Sequence, residues 1–330
     1  FRNPQHPYTK GLLACRPTLD ITSTRLLTIE DVIAGKTLVE AEPKKIKSNE
    51  DLQLVVEGLC TWFPLKKKLF SKEVEYVKAV DEVSFEVRKG ETLGLVGESG
   101  CGKTTLGRTV MRLENSIAGK IIFEGRDITH LKGRELKELR KDIQIIFQDP
   151  YASLNPRMTI EQTLIEPMKV NKVLGSYSER KDKAIYLLEK VGLSEEHLQR
   201  YPHEFSGGQR QRINIARTLT LSPKLIICDE SVSALDVSVQ AQVLNLLNDL
   251  KDEFGFTYIF ISHDLSVVKF ISDRIIVMNK GRIEEEGNAL DIYQNPKSLY
   301  TKSLIEAIPT GDLNRILAIQ KQKQEAIKIA

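Results

Sequence analysis

No stretch of this 330-residue chain offers an uninterrupted apolar run near the roughly 18 residues that a membrane-spanning helix needs, so any membrane role has to come through another subunit. An excess of charge of one sign is also missing, with 48 Lys and Arg against 45 Asp and Glu and a formal net charge of +3. That balance supplies no basic field for sequence-independent binding to a phosphate backbone, and no nucleic acid is expected as a partner. Cysteine is scarce: Cys15, Cys60, Cys101 and Cys228 have neither metal-ligand nor disulfide-framework spacing, which points to a reducing, cytoplasmic compartment. The first residues lack the charged, apolar and small-residue order of a signal peptide and begin on Phe, so they read as a fragment or a processed product. What is present, 41% hydrophobic residues, suits a soluble globular protein of one large domain with appendages, or two modest ones.

The two ends of the chain echo each other. Asn3-Pro4-Gln5-His6-Pro7-Tyr8-Thr9-Lys10 runs beside Asn295-Pro296-Lys297-Ser298-Leu299-Tyr300-Thr301-Lys302, and Pro17-Thr18 beside Pro309-Thr310 keeps the register. Residues 1–18 therefore read as a second copy of the tail at 288–330. Between this copy and Leu52, residues 19–51 carry mixed charge and little periodicity, and read as a linker. From Leu52 short β-rich runs begin: Leu54-Val55-Val56, Val83 to Val87, and Thr92 to Val96. Later runs at Ile143 to Phe147, Leu225 to Cys228, Tyr258 to Ile261 and Arg274 to Met278 are continuous enough for buried strands, and helical segments alternate with several of them. The fold class is α/β, with the main domain at 52–287.

Gly97-Glu98-Ser99-Gly100-Cys101-Gly102-Lys103-Thr104 follows one of these strands and leads into a helical run from Thr105 to Leu113, the context that a P-loop requires. Glycines at 97, 100 and 102 let successive amides and the helix N-terminus point at phosphate oxygens. Lys103 can then reach the β- and γ-phosphates, while the Thr104 hydroxyl can ligate Mg²⁺. Asp229-Glu230 ends the run Leu225 to Cys228, at the edge where open parallel sheets bind ligands. Asp229 is the candidate for the Mg²⁺ shell and Glu230 for polarising the attacking water. A third segment, Phe205-Ser206-Gly207-Gly208-Gln209, opens a helix to Leu219 and offers a second helix N-terminus to an anion. Two phosphate-binding ends beside one Mg²⁺ site make sense if the second serves a nucleotide held by another copy.

Taken with Gln148 after a strand, the turn Ser233-Ala234-Leu235-Asp236 and His263, this set resembles the ATP-binding subunits of ABC transporters, with Phe205 where the family more often has Leu. The stretch Gln148-Asp149-Pro150-Tyr151-Ala152-Ser153-Leu154-Asn155-Pro156 and the Tyr300-Thr301 tail resemble the oligopeptide, dipeptide and nickel import branch. The resemblance implies a P-loop NTPase (RecA-like) core with an antiparallel β subdomain and an inserted α-helical subdomain at about 151–219. Leu187 and Leu188 in that insert read as core rather than docking surface. It also implies ATP and Mg²⁺ as cofactors, with nucleotide contacts from Gly97 through Thr105 and, from a second ATP-binding domain packed head to tail, from Ser206, Gly207, Gly208 and Gln209. Gln148 would contact Mg²⁺ or the water, His263 the γ-phosphate, and Asp236 the dimer seam. An aromatic side chain should stack on adenine; Phe63 and Tyr76 are both candidates, because the Lys66-Lys67-Lys68 insertion blurs the spacing. The expected partners are two transmembrane permease subunits and, indirectly, an extracytoplasmic substrate-binding protein, at the cytoplasmic face of the membrane. The expected activity is ATP hydrolysis that powers import of oligopeptides or dipeptides. Nickel or glutathione is the alternative cargo, and a soluble non-transport ATPase the competing class. The echo at the N-terminus would then be the end of a preceding cassette, and Cys15 alone is too little for the iron-sulfur cluster that some relatives carry in the tail.

Overall fold

The computed structural model describes residues 4–17, 23–37, 51–65 and 75–308. The Lys66-Lys67-Lys68 insertion, the charged run at 42–50 and the tail beyond 308 lie outside the described residues.

In chain order the elements begin with two short helices, α1 (Pro7–Ala14) and α2 (Ile29–Ile33), followed by β1 (Leu52–Pro64), β2 (Tyr76–Arg88) and β3 (Thr92–Val96). Next come α3 (Lys103–Val110), β4 (Ala118–Phe123), β5 (Arg126–Asp127), α4 (Gly133–Asp142) and β6 (Ile143–Ile146). A helical stretch carries α5 (Ile160–Val170), α6 (Tyr177–Lys190), two 3₁₀ turns at Glu195–Gln199 and Pro202–Glu204, and α7 (Gly207–Leu219). The chain then runs through β7 (Leu225–Asp229), α8 (Val237–Phe254), β8 (Thr257–Ile261), α9 (Leu265–Ile271), β9 (Arg274–Asn279), β10 (Arg282–Asn288), α10 (Ala289–Gln294) and α11 (Leu299–Glu306).

Two sheets result. One is a four-stranded antiparallel sheet in the order β2-β1-β4-β5, the other a six-stranded sheet in the order β10-β9-β3-β8-β7-β6. Within the second, only the β10–β9 pair is antiparallel. Every residue of β3, β7 and β8 is buried, which is why these strands read as unbroken apolar runs rather than as alternation. β10 at the edge has no fully buried residue. β3 lies between β9 and β8, so successive connections diverge to its two sides and leave a crevice at its C-terminal end.

The helical insert is marked out by side-chain caps. Thr159 with Gln162, Ser176 with Glu179 and Ser206 with Gln209 form reciprocal capping boxes that open α5, α6 and α7. Leu164, Met168, Leu187, Leu188 and Ile213 from these helices share one core, and Leu187 and Leu188 are buried as expected.

The stretch at 19–51 is more than a linker in its described part. Thr28 and Asp31 cap α2 reciprocally, and Leu26 is buried. The Leu26 N–H donates to the Asn245 side-chain oxygen of α8 at 2.9 Å, and the Asn245 amide returns a bond to the Leu26 carbonyl at 2.8 Å. Arg25 adds bonds of 2.9 and 3.1 Å to Asp249 one turn further along α8. A helix of five residues is too short to show periodicity in sequence, and its stability comes from these tertiary contacts. The terminal echo has a structural counterpart, since α1 and α11 have equal length and occupy the same positions of the repeat, Pro7 opposite Leu299 and Ala14 opposite Glu306.

Candidate nucleotide-binding site

The loop after β3 is wedged between two strands, which fixes its glycines. A Cβ at Gly102, which has φ of 109°, would lie 2.0 Å from the Ala79 carbonyl oxygen of β2, and one at Gly97 would lie 2.1 Å from the Met278 carbonyl oxygen of β9. Only glycine lets the backbone pass so closely while turning into α3. Lys103 at the start of α3 is buried, and its ammonium donates to the carbonyl oxygens of Gly97 and Glu98, both at 2.9 Å. Next to it, the Thr104 hydroxyl donates to the Asp229 carboxylate at 2.9 Å. Burial pushes the Asp229 carboxyl up from its ordinary value, and the Thr104 bond works in the other direction.

β7 delivers Asp229 and then bends sharply. Glu230 has φ of 47°, a left-handed conformation that costs a non-glycine residue energy, and its N–H is stitched to the Ile261 carbonyl of β8 at 2.9 Å. The bend turns the Glu230 carboxylate toward two other side chains. Gln148, just past β6, donates from its amide to Glu230 Oε2 at 3.0 Å, and His263 Nδ1, just past β8, stands 3.5 Å from the same oxygen. Three parallel strands thus bring one group each to a single point.

Gln148 and Glu230, though not His263 or Asp229, line a cleft of about 480 Å³ together with Ser99, Gly100, Lys103 and Thr104, a size suited to a nucleotide. Lys78 and Lys280, also in its wall, were missed by sequence reasoning. Lys280 lies in the turn between β9 and β10 and Lys78 within β2, and neither belongs to a recognisable motif. Of the two aromatic candidates, neither ring is part of the wall. Phe63 stands across from Val77, which does line the cleft, whereas the Tyr76 ring lies 6.2 Å from Trp62.

Ser206, Gly207, Gly208 and Gln209 do not reach this cleft. Ser206 is exposed, and its hydroxyl accepts the Gln209 N–H at 3.3 Å, while Gln209 accepts the Ser206 N–H at 3.0 Å. The two glycines have separate reasons. A Cβ at Gly207 meets open space, but one at Gly208 would lie 2.2 Å from a methyl of Val239 in α8. Asp236 caps α8, accepting the N–H groups of Ser238 and Val239 at 3.1 Å each; the Ser238 hydroxyl, followed by these amides, holds its carboxyl below the ordinary value.

Thr104, its partner Asp229 and Gln148 carry oxygen atoms of the hard kind that Mg²⁺ takes. Among the described residues no cluster of three or more His, Cys, Asp or Glu could hold a metal by itself. A magnesium ion would therefore complete its shell from nucleotide phosphates and water. No helix of the described residues is long and apolar enough to cross a membrane.

Comparison with known proteins bears on the fold and the family. Residues 80–233 match the ABC transporter family model, and residues 1–37 and 285–329 both match the model for the oligopeptide/dipeptide transporter C-terminal region. The glutathione import ATP-binding protein GsiA of Pectobacterium atrosepticum is 46% identical over 319 residues, 96% of this chain and 51% of the relative. The GsiA protein of Shigella flexneri serotype 5b is 48% identical over 328 residues, with the same two shares. The chain thus spans about half the length of the curated relatives it matches. Among solved structures, an ATP-binding cassette caught as a dimer in a post-hydrolysis state with ADP and Pi is 28% identical with a TM-score of 0.63, covering 72% of this chain and 98% of that one. A component of the cbiONQ ABC transporter complex from Clostridium perfringens is 26% identical with a TM-score of 0.64, covering 82% of this chain and 99% of that one. Residues 80–233 thus form an ABC transporter ATP-binding domain, and both ends of the chain match the C-terminal region of oligopeptide/dipeptide transporters.

Proposed function

We propose that this chain binds and hydrolyses ATP as one member of a head-to-tail pair of cassettes and that the work drives import of glutathione across the cytoplasmic membrane. The observation that carries the hydrolytic part is the convergence of Gln148, Glu230 and His263 beside the Thr104–Asp229 bond. The amides of the loop from Gly97 to Thr104 cradle the phosphates, and Lys103 exchanges its two carbonyl partners for phosphate oxygens. Thr104, Asp229 and Gln148 would hold Mg²⁺, which would supply charge neutralisation to the phosphates. Glu230 orients and polarises the attacking water, steadied by the Gln148 amide and His263.

The exposed Ser206 end of α7 serves the nucleotide of the opposite cassette, and Asp236 lies at that seam. The adenine ring stacks on Phe63 or on Tyr76, which flank the cleft at paired ends of β1 and β2. Closure of the pair moves the helical inserts together and, through two permease subunits, switches the transporter between its facing states. A groove of about 250 Å³ between β6 and the helical insert, lined by Phe147, Met158, Glu166 and Arg217, is the place for a permease segment. The chain lies peripherally on the cytoplasmic face, and an extracytoplasmic binding protein delivers the cargo.

Glutathione replaces oligopeptides or dipeptides as the favoured cargo because the relatives named above are described as glutathione import ATP-binding proteins. Their length, the double match of one C-terminal region and the shared positions of α1 and α11 support a tandem arrangement with a preceding cassette. The test is ATP hydrolysis by the complex reconstituted in vesicles with its permease pair and binding protein. Stimulation by glutathione above that by dipeptides, longer peptides or nickel is expected; the reverse order would transfer the assignment.

A further inference from the structure

The C-terminal region reaches the phosphate loop, a contact that the hydrolytic reading does not use. Glu285 of β10 accepts the N–H groups of Lys297 at 2.8 Å and Ser298 at 3.0 Å, which anchors the start of α11. Ser298 then caps the helix by accepting the Tyr300 N–H at 3.2 Å. Tyr300 packs against the main core, and its hydroxyl oxygen accepts the N–H of Glu98 at 3.3 Å. The carbonyl of Glu98 is one of the two that hold the Lys103 ammonium. Glu98 is thereby gripped from both sides, its N–H by the C-terminal region and its C=O by the lysine that must pass to the phosphates. Gly97 just before it has no Cβ to resist rotation, so this tyrosine supplies a restraint that the glycine does not. Burial raises the Tyr300 hydroxyl further above its ordinary value and keeps it neutral.

We propose that Tyr300 is a positioning residue for the phosphate loop: through the Glu98 peptide it fixes the leading edge of the loop, so that the C-terminal region sets the affinity of the cassette for ATP. The inference rests on the ATP-binding reading above. Its internal control is Tyr8, which occupies the same place in the repeat but is 51% exposed on α1.

The experiment compares wild type, Tyr300→Phe, Tyr8→Phe and Lys103→Ala in the full chain, measuring Mg·ATP binding by calorimetry, kcat and KM for hydrolysis, and Tm. Loss of one net hydrogen bond predicts about two- to tenfold weaker ATP binding and a matching rise in KM for Tyr300→Phe. Its kcat stays within about twofold and its Tm close to wild type, because the ring and its packing are kept. Tyr8→Phe leaves all four quantities unchanged. Glu285→Ala, which frees the start of α11, shifts KM in the same direction as Tyr300→Phe. Unchanged affinity in Tyr300→Phe while Lys103→Ala loses binding overturns this inference alone, as does an equal effect of Tyr8→Phe. Failure of the wild-type chain to bind ATP overturns the nucleotide reading and this inference with it.

Discussion

The two helix N-termini assigned to phosphate, at α3 and α7, are built to different degrees within one chain. At α3 the approach is confined between Ala79 and Met278, a buried lysine is already drawn into the loop, and a threonine is bonded to a buried carboxylate. At α7 the capping serine is exposed and bonded only within its own turn, and neither glycine faces the cleft. The first end is a confined loop whose lysine and threonine, both in the cleft wall, already have partners; the second is an exposed helix end outside that cleft. In the proposed head-to-tail pair each chain supplies one end of each kind, so that two chains complete two sites.

That contrast can be broken in graded steps. The largest effect is expected of Glu230→Gln, which keeps the shape and the Gln148 contact but removes the base. Hydrolysis should fall by about 100- to 10,000-fold with ATP binding retained, measured as steady-state phosphate release beside nucleotide binding. Near wild-type turnover would remove Glu230 from its role. Lys103→Ala comes next. Losing charge-assisted bonds to the phosphates, about 1.5–3 kcal/mol, should weaken ATP binding by about 10- to 150-fold in calorimetry.

The α7 end should respond in stability rather than in affinity. Gly208→Ala forces a methyl against Val239 and is expected to cost about 1–3 kcal/mol of stability, read by denaturant unfolding. Ser206→Ala removes the cap of α7 and should cost about 1 kcal/mol, with the ATP affinity of the single chain unchanged. If Ser206→Ala weakened ATP binding in a monomeric sample, the two ends would belong to one site and the contrast would be lost.

The half of the site that lies along the chain was readable from sequence. β3 and the loop after it are contiguous, and complete burial of β3 and β7 writes itself into Thr92 to Val96 and Leu225 to Cys228 as uninterrupted apolar runs. What joins distant segments was readable only through family resemblance or not at all. Nothing local to Gln148 or His263 states that both meet one oxygen of Glu230, and nothing in Lys78 or Lys280 announces a cleft wall. The linker expectation for 19–51 failed at residues 23–37 for the same reason. The cap of α2 uses Asp31, not the Glu or Gln that marks a capping box in sequence, and Leu26 is held by a residue 219 positions away.

The Asn245 contact has a consequence for how this surface tolerates change. An asparagine side chain carries one donor edge and one acceptor edge, the same pair that every non-proline backbone residue presents, and here the two are matched at 2.9 and 2.8 Å. It therefore reads the position of residue 26 along the chain and not the identity of its side chain. In a saturation library, position 245 should accept almost nothing, whereas position 26 should accept any apolar residue that fills the pocket.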